Sequence, residues 1–212
     1  MNYVIINLSP RGSGTSGMLS RYIQQRIQTP ETPVRIFELY RYLTRWGQLM
    51  EEINKADCLI LVGPCYVNSF PADTITLLSE MSNHEGVLHG QVLYGVIQGG
   101  MPYIDTHEHG LKLLDNFAAV HDIRFQGGFV LGGGAVLNGE ELQKVIGAKK
   151  VIPAFHRFIE NIKAQRTSEA DLYCNAETKI PSIMSGILAA LMNRKLGREL
   201  KMRGITYRRD RK

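Results

Sequence analysis

The chain has 212 residues, of which 44% are hydrophobic and 21% are charged, and this composition is typical of a globular protein with one full core. No apolar run reaches the roughly 18 residues of a membrane-spanning helix, and the N-terminus lacks the pattern of a signal peptide, so neither is expected. The net charge of +5 is uneven, because the segment from Arg194 onward has nine Lys or Arg against two acidic residues, which leaves −2 on the preceding part. The basic character therefore belongs to the tail and does not indicate that the main domain binds nucleic acid.

The chain opens with a predicted strand, loop and helix. The apolar run Tyr3–Ile6 predicts the strand, the small residues of Ser9–Ser16 predict the loop, and apolar residues at spacings of three and four from Met18 to Ile27 predict the helix. The first turn of a helix has unpaired backbone N–H groups and a dipole that favours anions. Arg11 adds a fixed positive charge. This stretch therefore predicts a phosphate-binding loop.

Four more strands alternate with helices along the body of the chain. Further strands are predicted over 34–39, 58–62, 91–97 and 124–131, and helices over 43–56, 71–81, 107–121 and 138–165. Asn138 is the predicted N-cap of the last helix, which Pro153 should kink or split. Val120 is predicted to face the core. The alternation predicts an α/β, three-layer sandwich with a five-stranded parallel sheet and helices on both faces.

Three loops with unusual chemistry follow the first, third and fourth predicted strands. They are Ser9–Ser16, Pro64–Ser69 and Gly99–Tyr103. Because the carboxyl ends of parallel strands lie at one edge of a sheet, these loops should meet there, close to a topological switch point. The sequence therefore predicts a ligand site built from all three loops.

Metal and disulfide sites are not predicted. The three cysteines are Cys58, Cys65 and Cys174, and their spacing is not paired, so a reducing cytoplasm is the expected compartment. His107, Glu108 and His109 form a short cluster without further ligands at useful spacing. They are interpreted as solvated residues at a helix start, with a contact of Glu108 or His109 to substrate or nicotinamide as the alternative.

The motifs resemble those of the flavodoxin-like NAD(P)H-dependent FMN reductases over roughly residues 2 to 163. The first loop, Ser9–Ser16, is similar to that family's Ser-Pro-Arg phosphate loop, and the segment Ala56–Ala72 resembles its Ala-Asp, apolar strand, Pro-x-Tyr and x-Pro-Ala element. Gly99-Gly100 stands where the family has its third flavin-contacting loop. The resemblance implies a flavodoxin-like sheet with FMN at its C-terminal edge and NAD(P)H as co-substrate.

The same resemblance implies roles for individual residues. The phosphate would be held by Ser9, Arg11, Ser13, Gly14, Thr15 and Ser16, and the isoalloxazine ring would be lined by Pro64, Cys65, Tyr66, Val67 and Asn68. Gly99 and Gly100 would let the backbone approach the other edge of the ring. Val67 stands where relatives often have Trp, and Cys65 replaces a more usual aliphatic residue. Cys65 is interpreted as a packing residue, with a reactive thiol as the alternative.

The resemblance implies an FMN-dependent oxidoreductase that passes a hydride from NAD(P)H through FMN to a small acceptor such as a quinone, nitroaromatic, azo compound or free flavin. No acid–base side chain is required, so no catalytic residue is predicted. The family suggests a homodimer. An FMN-binding electron carrier without NAD(P)H activity is the alternative, and a protein that binds another phosphate, or none, is a third interpretation.

Residues 1–166 are predicted to form the flavodoxin-like domain, and residues 167–212 a helical, basic extension. An apolar run near residues 183–192 precedes the basic tail. It is too short to span a bilayer. Three interpretations remain open: packing on the body or on a second subunit, which is favoured, a lid over the flavin site, or contact with an anionic membrane surface.

Overall fold

The structure is a computed structural model that describes residues 1–177 and 182–204. The chain divides into two compact units, Met1–Thr178 and Lys179–Lys212. The described part of the second unit contains one helix, α7, over Ser182–Met202. Among the described residues, every helix is too short or too polar to cross a bilayer. The last basic residues, 205–212, lie outside the described residues.

The first unit is built on one parallel sheet. Its strands are β1 (Tyr3–Asn7), β2 (Val34–Glu38), β3 (Cys58–Pro64), β4 (Gln91–Gln98) and β5 (Ile123–Leu131). They lie in the order β2-β1-β3-β4-β5, and all neighbouring pairs are parallel. Every residue of β1, β3 and β4 is buried, because central parallel strands are covered on both faces. The predicted flavodoxin-like five-stranded sheet is confirmed.

The helices of this unit form the outer layers. They are α1 (Thr15–Ile27), α2 (Trp46–Asn54), α3 (Ala72–Asn83), α4 (His109–Ala119), α5 (Ala148–Lys163) and the short α6 (Asp171–Cys174). Helix α1 packs against α5, and α2 packs against α3. The main core lies between these helices and the sheet. Phe129 of β5 packs there edge-on against Phe155 and at a tilt against Phe158 of α5, at ring-centroid distances of 5.0 and 5.8 Å.

The last helix of the body differs from its prediction. Asn138 does not cap it; Asn138 has φ 47° and ends a short 3-10 turn, Gly134–Leu137, and α5 begins only at Ala148. Helix α5 also continues through Pro153 without a break. Proline removes one helical hydrogen bond, whereas α5 buries an apolar stripe that runs on both sides of it.

Val120 also differs from its prediction. It is predicted to face the core, but its side chain is 76% exposed. Helix α4 ends at Ala119, so Val120 is the C-cap residue. The helical periodicity that would turn it inward stops one residue earlier. Leu111 and Leu114, which share the predicted face, are buried.

Residues 167–177, predicted to begin the extension, lie in the first unit and cover the outer edge of β5. The Ser168 N–H donates to the Gln126 carbonyl at 2.8 Å. A Cβ at Gly127 would overlap the Ser168 carbonyl. The Tyr94 hydroxyl of β4 donates to the Arg166 carbonyl at 2.8 Å just before this segment. This segment therefore covers the edge of β5 around Gln126 and Gly127, which hinders pairing with another chain there.

Candidate functional site

The three loops predicted to form the site lie at one edge of the sheet. They follow β1, β3 and β4, whose carboxyl ends are adjacent in the order β1-β3-β4. The Leu8 N–H donates to the Val62 carbonyl at 2.8 Å, and the Cys65 N–H donates to the Gln98 carbonyl at 2.6 Å. The first of these bonds joins the ends of β1 and β3, and the second joins the ends of β3 and β4. The strand order reverses between β1 and β3, which is where doubly wound sheets bind ligands.

The first loop is folded by its own polar groups. The Asn7 side-chain oxygen accepts a hydrogen bond from the Ser9 N–H at 3.1 Å, and the Ser9 hydroxyl oxygen accepts one from the Arg11 N–H at 3.2 Å. A Cβ at Gly17 would overlap the Gly12 carbonyl oxygen. The loop therefore packs directly on the first turn of α1, and only glycine fits at that contact.

The start of α1 is open to an anion. Gly14 is its N-cap residue and has no side chain that could cap the helix. Among the described residues, no loop or side-chain oxygen accepts from the N–H groups of residues 15–17, and these groups have no acceptor one turn earlier within the helix. Arg11 is exposed in the loop that leads into them. Backbone donors and the helix dipole therefore converge here, with a cation in the adjoining loop.

Two predicted phosphate ligands direct their hydroxyls to neighbouring loops. The Thr15 hydroxyl donates to the Gly134 carbonyl at 2.9 Å and accepts from the Gly139 N–H at 3.3 Å. The Ser16 hydroxyl accepts from the Gln98 side-chain amide at 3.3 Å. Both residues are buried, so they present backbone N–H groups to the loop while their hydroxyls connect it to β4 and to the segment after β5.

The segment 132–139, which follows β5, belongs to the site although the sequence prediction omits it. The Gly133 N–H donates to the Met101 carbonyl of the third loop at 2.7 Å. Gly139 has φ +87° and packs so closely that a Cβ there would overlap the Ser13 carbonyl oxygen of the first loop. This segment therefore fastens the first loop to the third. Its signal in the sequence is the glycine run at 132–134 together with Asn138-Gly139.

His107 is buried, with an exposed fraction of 2%, so its interpretation as a solvated residue is wrong. Its Nε2 lies 2.9 Å from the Met101 carbonyl oxygen, and a Cβ at Gly99 would overlap its ring. Gly99 therefore makes room for a histidine that supports the third loop. A Cβ at Gly100 would have Ala135 Cβ as its nearest neighbour, at 3.8 Å, so the backbone is accessible there. In residues 1–177 and 182–204, no three His, Cys, Asp or Glu side chains are grouped as metal ligands would be.

The second loop forms a narrow turn that projects from the edge. The Tyr66 N–H donates to the Ser69 carbonyl at 2.6 Å, and the two residues between them, Val67 and Asn68, have φ of 53° and 66°. Two consecutive positive φ values are typical of a type I′ turn. Val67 is 98% exposed and Tyr66 49% exposed. The turn thus presents apolar and aromatic surface beside the opening of α1.

Cys65 is half-buried at the base of this turn, and its thiol donates to the Thr106 carbonyl at 3.5 Å. Burial raises the pKa of the thiol because a thiolate would be poorly solvated there. A raised pKa lowers the fraction of Cys65 that is present as thiolate, which is the nucleophilic form. The local environment therefore favours the packing interpretation of Cys65.

Two buried side chains under the loops have polar atoms without partners among the described residues. They are the Nδ2 atom of Asn7, at the end of β1, and the Oε1 atom of Gln98, at the end of β4. Their residues are only 1% and 5% exposed. Buried polar groups normally have hydrogen-bond partners, so this edge of the sheet offers an unused donor and an unused acceptor.

No protein-family model and no curated protein matches the sequence, whereas many solved structures match the fold. An NADH:FMN oxidoreductase in its apo form shares 16% identity at a TM-score of 0.60, over 84% of this chain and 96% of that one. General stress protein 14 of Treponema denticola, in complex with FMN, shares 14% identity at a TM-score of 0.55, over 76% and 98%. An FMN-dependent NADH-azoreductase of Bacillus anthracis, in complex with FMN, shares 12% identity at a TM-score of 0.51, over 78% and 99%. The predicted resemblance is therefore confirmed at the level of the fold.

Proposed function

We propose that this chain is an FMN-dependent oxidoreductase that uses NAD(P)H to reduce a small acceptor. The observation that carries the proposal is the open first turn of α1 next to the Tyr66–Ser69 turn at the β1/β3 switch point. An anion and a flat ring attached to it could be held there together. When bound, FMN accepts a hydride from the reduced nicotinamide and passes its electrons to the acceptor. Two solved complexes with FMN that share this fold give independent support.

The first loop fits the phosphate of FMN. The N–H groups of Ser13, Thr15 and Ser16 and the guanidinium of Arg11 would contact it. Gly14 would leave room for it, since the Gly14 N–H donates to the Arg11 carbonyl at 3.4 Å, and the Ser9 hydroxyl holds the loop in shape through its bond to the Arg11 N–H. The proposed contact of Thr15 uses its backbone, because its hydroxyl already donates to the Gly134 carbonyl. The Ser16 hydroxyl only accepts, from the Gln98 amide, so both its backbone N–H and its hydroxyl could donate to the phosphate. Such donors stabilise a dianion without a lysine or a metal ion.

The second and third loops fit the two sides of a flat ring. The proposed contacts on one side are Pro64, Cys65, Tyr66, Val67 and Asn68, and those on the other are Gly99 and Gly100. The half-exposed ring of Tyr66 offers an aromatic surface, and Gly100 leaves its backbone open to polar ring atoms. Aromatic surfaces in such positions orient planar ligands and exclude water.

The acceptor, the assembly and the compartment are part of the same proposal. We favour a quinone, nitroaromatic, azo compound or free flavin as acceptor, since no acid–base group is needed for these substrates. We also favour a cytoplasmic homodimer, with no nucleic acid partner. Exposed apolar side chains in several edge loops, among them Val67, Met101 and Val136, provide surface that an acceptor or a second copy could cover.

An absorbance spectrum and a titration with FMN test the proposal. FMN fluorescence should be quenched, the melting temperature should rise with FMN concentration, and NADH or NADPH should bleach the bound flavin. If the fluorescence of FMN is not quenched and FMN does not raise the melting temperature, the proposal is wrong. If FMN binds but neither NADH nor NADPH bleaches it, and no steady NAD(P)H oxidation occurs with any of these acceptors, the alternative of an electron carrier is favoured.

Arg11→Ala tests the placement of the phosphate. Losing one charge-assisted contact should weaken FMN binding about tenfold and leave the binding of riboflavin, which has no phosphate, unchanged. Arg157→Ala, an exposed arginine of α5, is the matched control and should change neither affinity. Equal loss of FMN and riboflavin affinity would show that Arg11 acts on the fold of the loop instead.

A further inference from the structure

The imidazole ring of His107 is enclosed under the third loop, with a polar neighbour at each nitrogen. The residue is 2% exposed, and a Cβ at Gly99 would overlap three atoms of its ring. Its Nε2 lies 2.9 Å from the Met101 carbonyl oxygen, and its Nδ1 lies 3.3 Å from the Thr106 hydroxyl oxygen. Since a carbonyl can only accept, Nε2 carries a hydrogen and donates to Met101. A buried side chain thus holds the backbone of the third loop.

The backbone of the third loop has engaged carbonyl groups and open N–H groups. The carbonyls of Gly99 and Met101 both accept hydrogen bonds from the segment 132–139, at 3.1 and 2.7 Å, and the Met101 carbonyl accepts a second one from His107. No oxygen of the described residues accepts from the N–H groups of Gly100 and Met101. Two successive N–H groups of this kind form a small donor site for an oxygen or nitrogen atom of a ligand.

The dipeptide Thr106-His107 also joins the second loop to the third. The Thr106 carbonyl accepts from the Cys65 thiol of the second loop at 3.5 Å. The next residue, His107, donates to the Met101 carbonyl of the third loop. The two loops proposed to lie on either side of a flat ring are therefore connected through two adjacent residues.

The start of α4 fixes His107 in turn. Its N–H donates to the Ile104 carbonyl at 2.8 Å, and its carbonyl accepts from the Gly110 N–H at 3.1 Å. Gly110 lies in the first turn of α4 and packs so closely on β4 that a Cβ there would overlap the Ile97 side chain. The imidazole is therefore carried by the rigid contact of a helix with the sheet, which is the support that a positioning residue needs.

We propose that His107 is a positioning residue for the flavin ring. Through the Met101 carbonyl it holds the third loop in the conformation in which the N–H groups of Gly100 and Met101 can donate to polar atoms of the ring. These donors would favour the reduced ring over the oxidised one, because reduction places more negative charge on those atoms. His107 would act through the loop backbone, without touching the reacting atoms. The inference rests on the proposed function, since it requires a flavin between the second and third loops.

Two substitutions of His107 separate its hydrogen bond from its bulk. His107→Leu removes the ring N–H, whereas His107→Gln supplies an amide N–H that can reach the same carbonyl. In fluorescence titrations of the full chain, His107→Leu should weaken FMN and riboflavin equally, about tenfold, because the phosphate is held by the first loop. His107→Gln should stay within about threefold of the unmodified protein. Unchanged affinities in folded His107→Leu, or a loss confined to FMN, would overturn the proposal.

The reduction potential of bound FMN distinguishes positioning from a general loss of stability. A tenfold weaker preference for the reduced ring lowers a two-electron potential by about 30 mV, and this shift is expected for His107→Leu but not for His107→Gln. His121→Leu is the matched control, because His121 lies beyond the other end of α4, with its Nε2 2.9 Å from the Ser82 hydroxyl oxygen. It should change neither affinity nor potential. A lower melting temperature of His107→Leu with an unchanged potential would show a merely structural role and overturn the proposal.

NMR of the histidine ring nitrogens in the unmodified protein covers the case in which His107→Leu fails to fold. The His107 ring should be protonated at Nε2, and that hydrogen should exchange slowly with water because the ring is buried. A ring protonated at Nδ1 alone would exclude the bond to Met101 and overturn the proposal. If neither riboflavin nor FMN binds to the unmodified protein, the proposed function fails and this role fails with it. If both bind equally well to the unmodified protein and to His107→Leu, only the role of His107 fails.

Discussion

Val67 has a backbone conformation that its side chain disfavours. A β-branched residue with φ 53° is an outlier, and the left-handed region costs such residues about 1–2 kcal/mol. Strain of this kind occurs mainly at functional sites. Val67 is also 98% exposed, so packing on the described residues does not offset the free-energy cost of this backbone conformation. A contact between the Val67 side chain and a ligand would offset it.

Val67→Asn should therefore stabilise the protein by about 1 kcal/mol, measured by urea unfolding, and should slow turnover or weaken flavin binding. Val120→Asn makes the same change at another exposed position, where φ is −107°, and should stabilise far less. Equal effects of the two substitutions would show that polarity, rather than backbone strain, is responsible.

The sequence motifs locate the three loops correctly, but they do not reveal how individual side chains are used. The small residues of Ser9–Ser16 indicate an anion-binding loop. The same pattern results whether the Ser and Thr hydroxyls bind the ligand or other parts of the protein. Thr15 has its partners at Gly134 and Gly139, and nothing near Thr15 in sequence indicates them. The burial of His107 under the third loop depends on the absence of a Cβ at Gly99, which is a contact in space and leaves no local pattern.

At the scale of elements, α1 packs on its preceding loop so closely that a Cβ at Gly17 would overlap the Gly12 carbonyl oxygen. Gly17→Ala should destabilise the protein by about 1–3 kcal/mol and abolish flavin binding, since the new methyl group would displace the Gly12 carbonyl. The readouts are the urea midpoint and the FMN titration.

Gly47→Ala is the matched control for that substitution. Gly47 lies in α2, and a Cβ added to it would have no atom within 4 Å. Alanine should therefore stabilise the helix by about 0.5–1 kcal/mol and leave flavin binding unchanged. A stable Gly17→Ala variant with normal affinity would contradict the packing described for the loop.

The elements themselves follow largely from the apolar runs. All five strands are predicted to within a few residues. The three central ones, β1, β3 and β4, are continuous apolar runs because they are covered on both faces. The misplaced start of α5 has a different origin: Asn138 and two glutamates look like a helix start, yet Gly139 must turn toward Ser13. A tertiary contact there overrides a favourable local capping pattern.

At the scale of the whole molecule, one histidine couples stability to pH. The Nε2 atom of His156 of α5 lies 2.6 Å from the Tyr22 hydroxyl oxygen of α1 and shares a hydrogen bond with it. Burial lowers the pKa of His156, and the nearby Arg26 guanidinium lowers that pKa further. The unfolded chain therefore binds this proton more readily than the folded chain does, so stability is full above about pH 6.5 and falls as the pH drops below that value.

His156→Gln should lose less stability than the unmodified protein between pH 7.5 and 5.5, as measured by urea midpoints. His109→Gln, on α4 rather than at the contact between α1 and α5, is the control and should lose as much as the unmodified protein. An identical pH dependence in all three proteins would rule out a contribution from His156.

The hydrogen bonds of Thr15 also determine when the predicted anion loop can be fixed in place during synthesis of the chain. Its hydroxyl reaches partners 119 and 124 positions later in the chain. A nascent polypeptide that has emerged only as far as β5 already contains every residue of the predicted anion loop, yet it lacks the segment that fastens this loop in place. Long-range contacts of this kind form late in folding. During synthesis the protein should therefore acquire its ligand only after the last strand and the turn beyond it have left the ribosome.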